Sequence, residues 1–176
     1  KLTVDGVEQS KPLTVLKDPN TGGTEADIGQ QVAMLKAIRD DMNRAVATVN
    51  RVEGVRVQIA TLARFTSDAE VKAAVAALEA KLVEQEMNLV DLRLTGEGQD
   101  AIRFDAKLIG KLGYLASGLA GGDFRPTDSQ VEVQKLLNQH VGEQISALEA
   151  ILRTDLGALN GMLRQKGIAV IGDQDR

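Results

Sequence analysis

The sequence predicts an all-α protein, an antiparallel up-down four-helix bundle with a short β-hairpin at its N-terminus. Three observations carry that expectation. Apolar residues make up 43% of the 176-residue chain but aromatics only 2%, so the apolar content is mainly Ala, Leu, Val and Ile. Ala and Leu have high helix propensity and suit close helix–helix packing. From Thr24 onward the apolar residues recur at the three–four spacing of one helix face, in segments separated by short turns. Short connections make sequential helices antiparallel neighbours.

The first stretch follows a different period. Leu2-Thr3-Val4 precedes Asp5-Gly6, and after a polar segment come Leu13-Thr14-Val15-Leu16. β-Formers around Asp-Gly signal a hairpin, because Gly takes the positive φ of a tight primed turn. Two strands alone are marginal in water. Residues 1–19 are therefore read as the remnant of an upstream β-sandwich or as a hairpin packed on the bundle. Asp18 to Gly23 is a turn-rich linker.

The bundle is expected over residues 24–167. Its first helix spans about 24–65, with Ile28, Val32, Leu35, Ile38, Met42, Ala45, Val49, Val52, Ile59 and Leu62 on one face. At about 1.5 Å per residue it would measure about 60 Å if straight, and Gly54 permits a bend. The second, about 67–95, opens on a Ser67/Glu70 capping box and carries Val71, Val75, Leu78, Leu82, Leu89 and Leu92. Gln85 falls in that stripe, either as a buried register residue or where the bundle opens. The third, about 100–120, shows Ile102, Ile109, Leu112, Ala116 and Leu119 to the core, and its glycines permit close approach. The fourth, about 127–166, opens on a Thr127/Gln130 capping box and runs from Leu137 through Leu163 to Gly167, a C-cap. Residues 168–176 form a tail: Ile168–Ile171 is expected to dock on the bundle or a neighbour, and Asp173–Arg176 to be mobile. The longer first and fourth helices should project at one end unless Gly54 or Gly157 bends them.

The chemistry is sparse. A net charge of −4 supplies no basic field for nucleic acid or anionic lipid. Without Cys there is no disulfide, thiolate metal site or Cys nucleophile. No apolar run reaches the roughly 18–20 residues of a membrane span. The start at Lys1 is read as a boundary with any export signal upstream. His140 is the only histidine, and Leu137 stands where a Glu-x-x-His metal motif needs Glu. Gly96 to Ala101 spells G-x-G-x-x-A but follows a helix rather than a strand, so it reads as a turn. Gly113 and Gly118 have phosphate-loop spacing, yet Leu119-Ala120 follow where Lys and Ser/Thr are required. The acid pairs Asp40-Asp41, Glu84/Glu86 and Asp128/Glu132 read as helix surface. No catalytic residue, cofactor or metal ligand is therefore assigned. Asp105, Lys107, Lys111, Asp123 and Arg125 surround the third helix and the turn after it. They are read as ion pairs and turn chemistry fixing that connection, or as a docking surface for another domain of the same chain.

Several segments in order resemble the C-terminal helical region of bacterial sortilin-like, BNR-repeat β-propeller proteins, which often carry a glycosyl hydrolase label. They are Lys1 to Gly6 with Lys11 to Pro19, Gln31-Val32, Leu35 through Asn43, Gln99-Asp100, Arg103-Phe104-Asp105, Lys107-Leu108, Lys111-Leu112 and Gly121 to Asp128. At Ala101-Ile102 the chain departs from the aromatic and Pro/Asn-rich turn of such proteins. The resemblance implies a non-catalytic structural or interaction module of a secreted or periplasmic multidomain protein. Its partners would be other domains of the same polypeptide, with no nucleic acid and no membrane insertion. Two alternatives stand beside it. The chain could be part of a sialidase-like glycoside hydrolase whose catalytic propeller lies elsewhere, or a homodimerising bundle.

Overall fold

The computed structural model describes residues 1–173, the side chain of Ala101 excepted. Helix accounts for 67% of the chain, with a short two-stranded antiparallel sheet in front of it. The order is β1 (Leu2–Val4), β2 (Val7–Gln9), α1 (Glu25–Phe65), α2 (Ala69–Leu89), a single turn α3 (Asp100–Arg103), α4 (Leu108–Leu119) and α5 (Asp128–Ile151). A π-helical turn (Leu152–Leu156) then leads into α6 (Gly157–Gln165). α1 packs on α2, α4 and α5; α2 also meets α5 and α6, and α4 meets α5.

Asp5 and Gly6 take φ of +51° and +80°, so the turn has two residues and Val4 pairs directly with Val7. The second strand is therefore Val7–Gln9, and the expected strand at Leu13–Leu16 does not form. Residues 1–16 are exposed throughout, so the hairpin does not pack on the helices.

α1 starts at a Thr24/Asp27 capping box and continues through Gly54 without a break. Its inward face at the N-terminal end is Gln31, Ile38 and Asp41, whereas Val32, assigned to the core above, is 40% exposed. α2 starts one residue later than expected. Asp68, not Ser67, is its cap, accepting from Glu70 N at 2.9 Å and Val71 N at 3.1 Å. A carboxylate is the stronger acceptor at a helix N-terminus, and Lys166 also pairs with it at 2.7 Å. The helix ends at Leu89 rather than near residue 95, because Val90 turns extended and Asp91 organises a separate corner.

The expected continuous helix over 100–120 is also broken. Phe104 and Lys107 take extended backbone between α3 and α4, and Ile102 is 78% exposed rather than in the core. The guanidinium of Arg93 sits 4.5 Å from the centre of the Phe104 ring, a cation–π contact at this break. α4 buries Leu108, Leu112, Leu115 and Leu119.

The final helical stretch takes a π turn at Leu152–Leu156. Leu148, Leu152 and Leu156 make two successive four-residue steps, which would rotate away from the core in a uniform α-helix of 3.6 residues per turn. The wider turn returns Leu159 and Leu163 to the core, and all five are at most 3% exposed. The tail docks on the helices. Asn160 exchanges two bonds with the backbone of Ile171, at 2.9 and 2.8 Å. Asp173, expected to be mobile, accepts from Arg51 through its carbonyl and its carboxylate, both at 2.9 Å. The remaining tail residues, 174–176, lie outside the described residues.

Candidate functional site

The five residues assigned to docking fall at different places. Asp105 and Lys107 lie in the extended stretch before α4, Lys111 on the exposed side of α4, and Asp123 and Arg125 in the turn before α5. None of the five forms a salt bridge among the described residues, so ion pairs do not fix the α4–α5 connection. Gln31 fixes it instead, donating from its buried amide to the carbonyls of Leu119 and Gly122. Gly23 packs so closely on the Asp123 carbonyl that a Cβ would not fit, which roots the N-terminal arm beside this turn.

Two grooves flank α4. One, of about 880 Å³, runs between α4 and the start of α5, with Gly110, Lys111, Tyr114 and Gly118 on one wall and Gln130, Val133 and Leu137 on the other. It is mostly apolar, and Tyr114 stands 85% exposed at its edge. Small residues on α4 leave the space, since a Cβ at Gly118 would meet nothing.

The second groove, of about 530 Å³, gathers Asp91, Glu97, Asp100, Asp105 and Lys107 around Leu89, Leu94 and Phe104. This is the place where acid/base chemistry would have to be built, and two of its carboxylates are already committed. Asp91, 2% exposed, accepts from Arg93 Nε at 2.8 Å and Nη2 at 2.6 Å. The side-chain bonds from Arg93 lower its pKa to about 2, so it stays ionised and holds no proton to give. Asp100 accepts from Thr95 N at 2.7 Å, Gly96 N at 2.9 Å and Thr95 Oγ1 at 3.0 Å, and these bonds hold its carboxyl below the usual range. The amides of Thr95 and Gly96, at the start of the glycine-rich loop, thus point at a carboxylate of their own chain, where a dinucleotide fold would place a phosphate. The stacked Arg93 also covers the Phe104 face that a sugar would need.

Two of the three acid pairs separate as well, while Asp128 and Glu132 are both exposed on α5. Asp40 is exposed and bonds Arg39, whereas Asp41 is buried and accepts from Asn138 Nδ2 at 2.7 Å and Arg44 at 2.6 Å. Glu84 is exposed while Glu86 is fully buried; the polar residue inside the α2 stripe is Glu86, not Gln85, which is only partly buried. The 4–3 step from Leu82 through position 86 to Leu89 carries the signal for it. His140 is partly buried on α5. Among the described residues no group of three or more His, Cys, Asp or Glu is placed to hold a metal ion. No described helix is long and apolar enough to cross a membrane.

Comparison of the chain with known protein families, with curated proteins and with solved structures finds no match.

Proposed function

We propose that the chain is a non-catalytic interaction module, an antiparallel up-down four-helix bundle that braces neighbouring domains of a larger secreted or periplasmic polypeptide through its N-terminal arm. The observation that carries this reading is the arm itself. The hairpin register puts Leu2, Val4 and Val7 on one face, with Thr3 and Glu8 on the other. That apolar face is uncovered, at 63%, 56% and 63% exposure, and Leu13, Val15 and Leu16 beyond it exceed 80%. An amphipathic two-stranded sheet of three residues per strand needs further strands or a packed layer to persist. A β-sandwich next to the helices would supply both. The three-residue link Thr66–Asp68 between two packed helices favours the up-down arrangement. The resemblance to the C-terminal region of sortilin-like, BNR-repeat proteins favours the same partner.

Amide exchange tests the proposal. Residues 1–16 should exchange freely in this chain alone and become protected in a longer polypeptide that carries the preceding domain. Free exchange in both would remove the bracing role. A second reading is a homodimer through the groove between α4 and α5, favoured by the exposure of Tyr114. Sedimentation from micromolar to millimolar concentration decides it, with Tyr114→Asp as the disrupting variant. The glycoside hydrolase reading draws no support from the groove beside Asp91 and Asp100, whose carboxylates are spent on the loop.

A further inference from the structure

The interface between α1 and α2 encloses more negative than positive charge. Arg56 of α1 donates from Nε to Glu79 Oε1 at 3.0 Å and from Nη1 to Glu86 Oε2 at 2.9 Å. Glu79 and Glu86 are seven residues apart on α2, hence on one face, and a single guanidinium spans both. The Glu86 side chain is 0% exposed and that of Arg56 24%. The other oxygen of Glu86, Oε1, is buried with no hydrogen-bond partner among the described residues, as is Oε2 of Glu79. Glu53, three residues before Arg56 on α1, adds a third negative charge to the field at Glu86. The Glu79 side chain keeps 37% of its surface in water, so the desolvated charge is that of Glu86, which one guanidinium shared with Glu79 neutralises in part only; a buried oxygen without a donor is costly.

We infer that Glu86 is a proton-binding site of the folded protein: Oε1 takes a proton from solvent when α1 closes on α2, while Oε2 keeps its bond from Arg56. The proton turns the carboxylate into a neutral carboxyl, so Arg56 is left facing one ionised partner, Glu79. Burial is the main influence raising the Glu86 carboxyl above its ordinary value; Glu53 and Glu79 add to it, and Arg56 opposes them. Burial pulls Arg56 down, but its acidic partners, the bond to Glu79 first among them, outweigh that and hold it charged. Gln144 of α5 is neutral and bonds Asn88 at 3.1 Å, and Asp155 of the π turn is paired with Lys81.

The sign of the pH dependence follows. Below the ordinary value of 4.5, folded and unfolded chains both carry the proton, and Glu86 imposes no penalty. As pH rises above that value through the folded pKa, the unfolded chain ionises first and the folded state loses relative stability. For one linked proton the folding constant falls by up to about tenfold per pH unit across the window. Mild acid therefore tightens the α1–α2 interface.

Urea unfolding of the whole chain between pH 4.5 and 8 tests this, with Glu86→Gln as the variant that mimics the protonated carboxyl. The wild-type folding constant should fall with rising pH by more than that of E86Q, and E86Q should equal or exceed the wild type in stability at pH 8. An E86Q chain that is weaker at pH 8 with an unchanged pH slope would show an ionised Glu86 and overturn the inference. A measurement on the unaltered protein stands beside it: the side-chain carboxyl carbon of Glu86 should titrate above pH 4.5 by NMR. A midpoint at or below that value overturns the inference independently.

Discussion

The N-terminal arm and the helical body use the same kind of residue to opposite effect. Leu13, Val15 and Leu16 are 86%, 85% and 82% exposed, while Leu112, Leu148 and Leu163 are wholly buried. Apolar content does not distinguish them. The difference lies in how each segment satisfies its backbone. A helix closes its own hydrogen bonds and needs only a stripe to pack, which other helices of the same chain supply. A strand needs a neighbour for every ladder bond. With three residues in each strand, the arm lacks the neighbours that would cover it.

The sharpest way to break the comparison is to make one substitution in both regions. Leu148→Ala should cost about 2–5 kcal/mol in urea unfolding, through lost burial and the cavity left behind. Leu13→Ala should stay within about 0.5 kcal/mol, as exposed changes do. A comparable loss at Leu13 would mean that the arm packs on the helices in solution.

Next in size is the polar part of the body. Asn138 of α5 places both oxygens of buried Asp41 within reach of its amide, at 2.7 and 2.9 Å. Asn138→Ala should cost about 1.5–3 kcal/mol, the range for bonds to charged groups, because among the described residues Asp41 then keeps only Arg44. A neutral result would show that water replaces the amide and that α1 and α5 are held by packing alone. Smaller again is the cap of α5. Thr127 accepts from Gln130 N at 3.2 Å while Gln130 Oε1 accepts from Thr127 N at 2.9 Å. Thr127→Ala should cost about 1 kcal/mol by thermal unfolding.

These residues also mark how far the sequence was legible. The helices of the body were readable because Leu and Val at three–four spacing leave little choice of face, and the Thr127/Gln130 box sits where its spacing puts it. Gln31, Asp41 and Glu86 were not, since each places a polar group on the buried face and is accommodated by a partner far along the chain. The π turn hides in a stripe whose average period still looks helical. The break between α3 and α4 coincides with Arg93 stacking on Phe104, a contact that no local period encodes. The hairpin turn was legible in Asp5-Gly6, but the tight turn set the second strand at Val7 and stranded Leu13–Leu16. Of the docking residues, sequence showed that they cluster in the chain; only the structure shows that they divide between two grooves and a turn.

The smallest expected effect on the whole fold is also the most local, at the corner between α2 and α4. Asp91 is held at about 2 by Arg93, below its ordinary 3.8. A lowered carboxyl stabilises the corner above the ordinary value and loses that contribution as pH falls through the folded one. The amide of Arg93, which donates to Asp91 Oδ1 at 3.1 Å, should therefore shift by NMR only as pH approaches 2, while core amides of α1 stay in place. This window lies below that of Glu86, so the two groups separate on a single titration. Replacing the guanidinium by Arg93→Met should move the Asp91 midpoint up toward 3.8, because the bidentate pair is its main cause. It should also free the Phe104 ring, whose signals then report the loss of stacking. A midpoint unmoved in R93M would mean that the loop backbone, rather than the ion pair, holds Asp91 ionised, and the corner would then be a turn built like the one around Asp100.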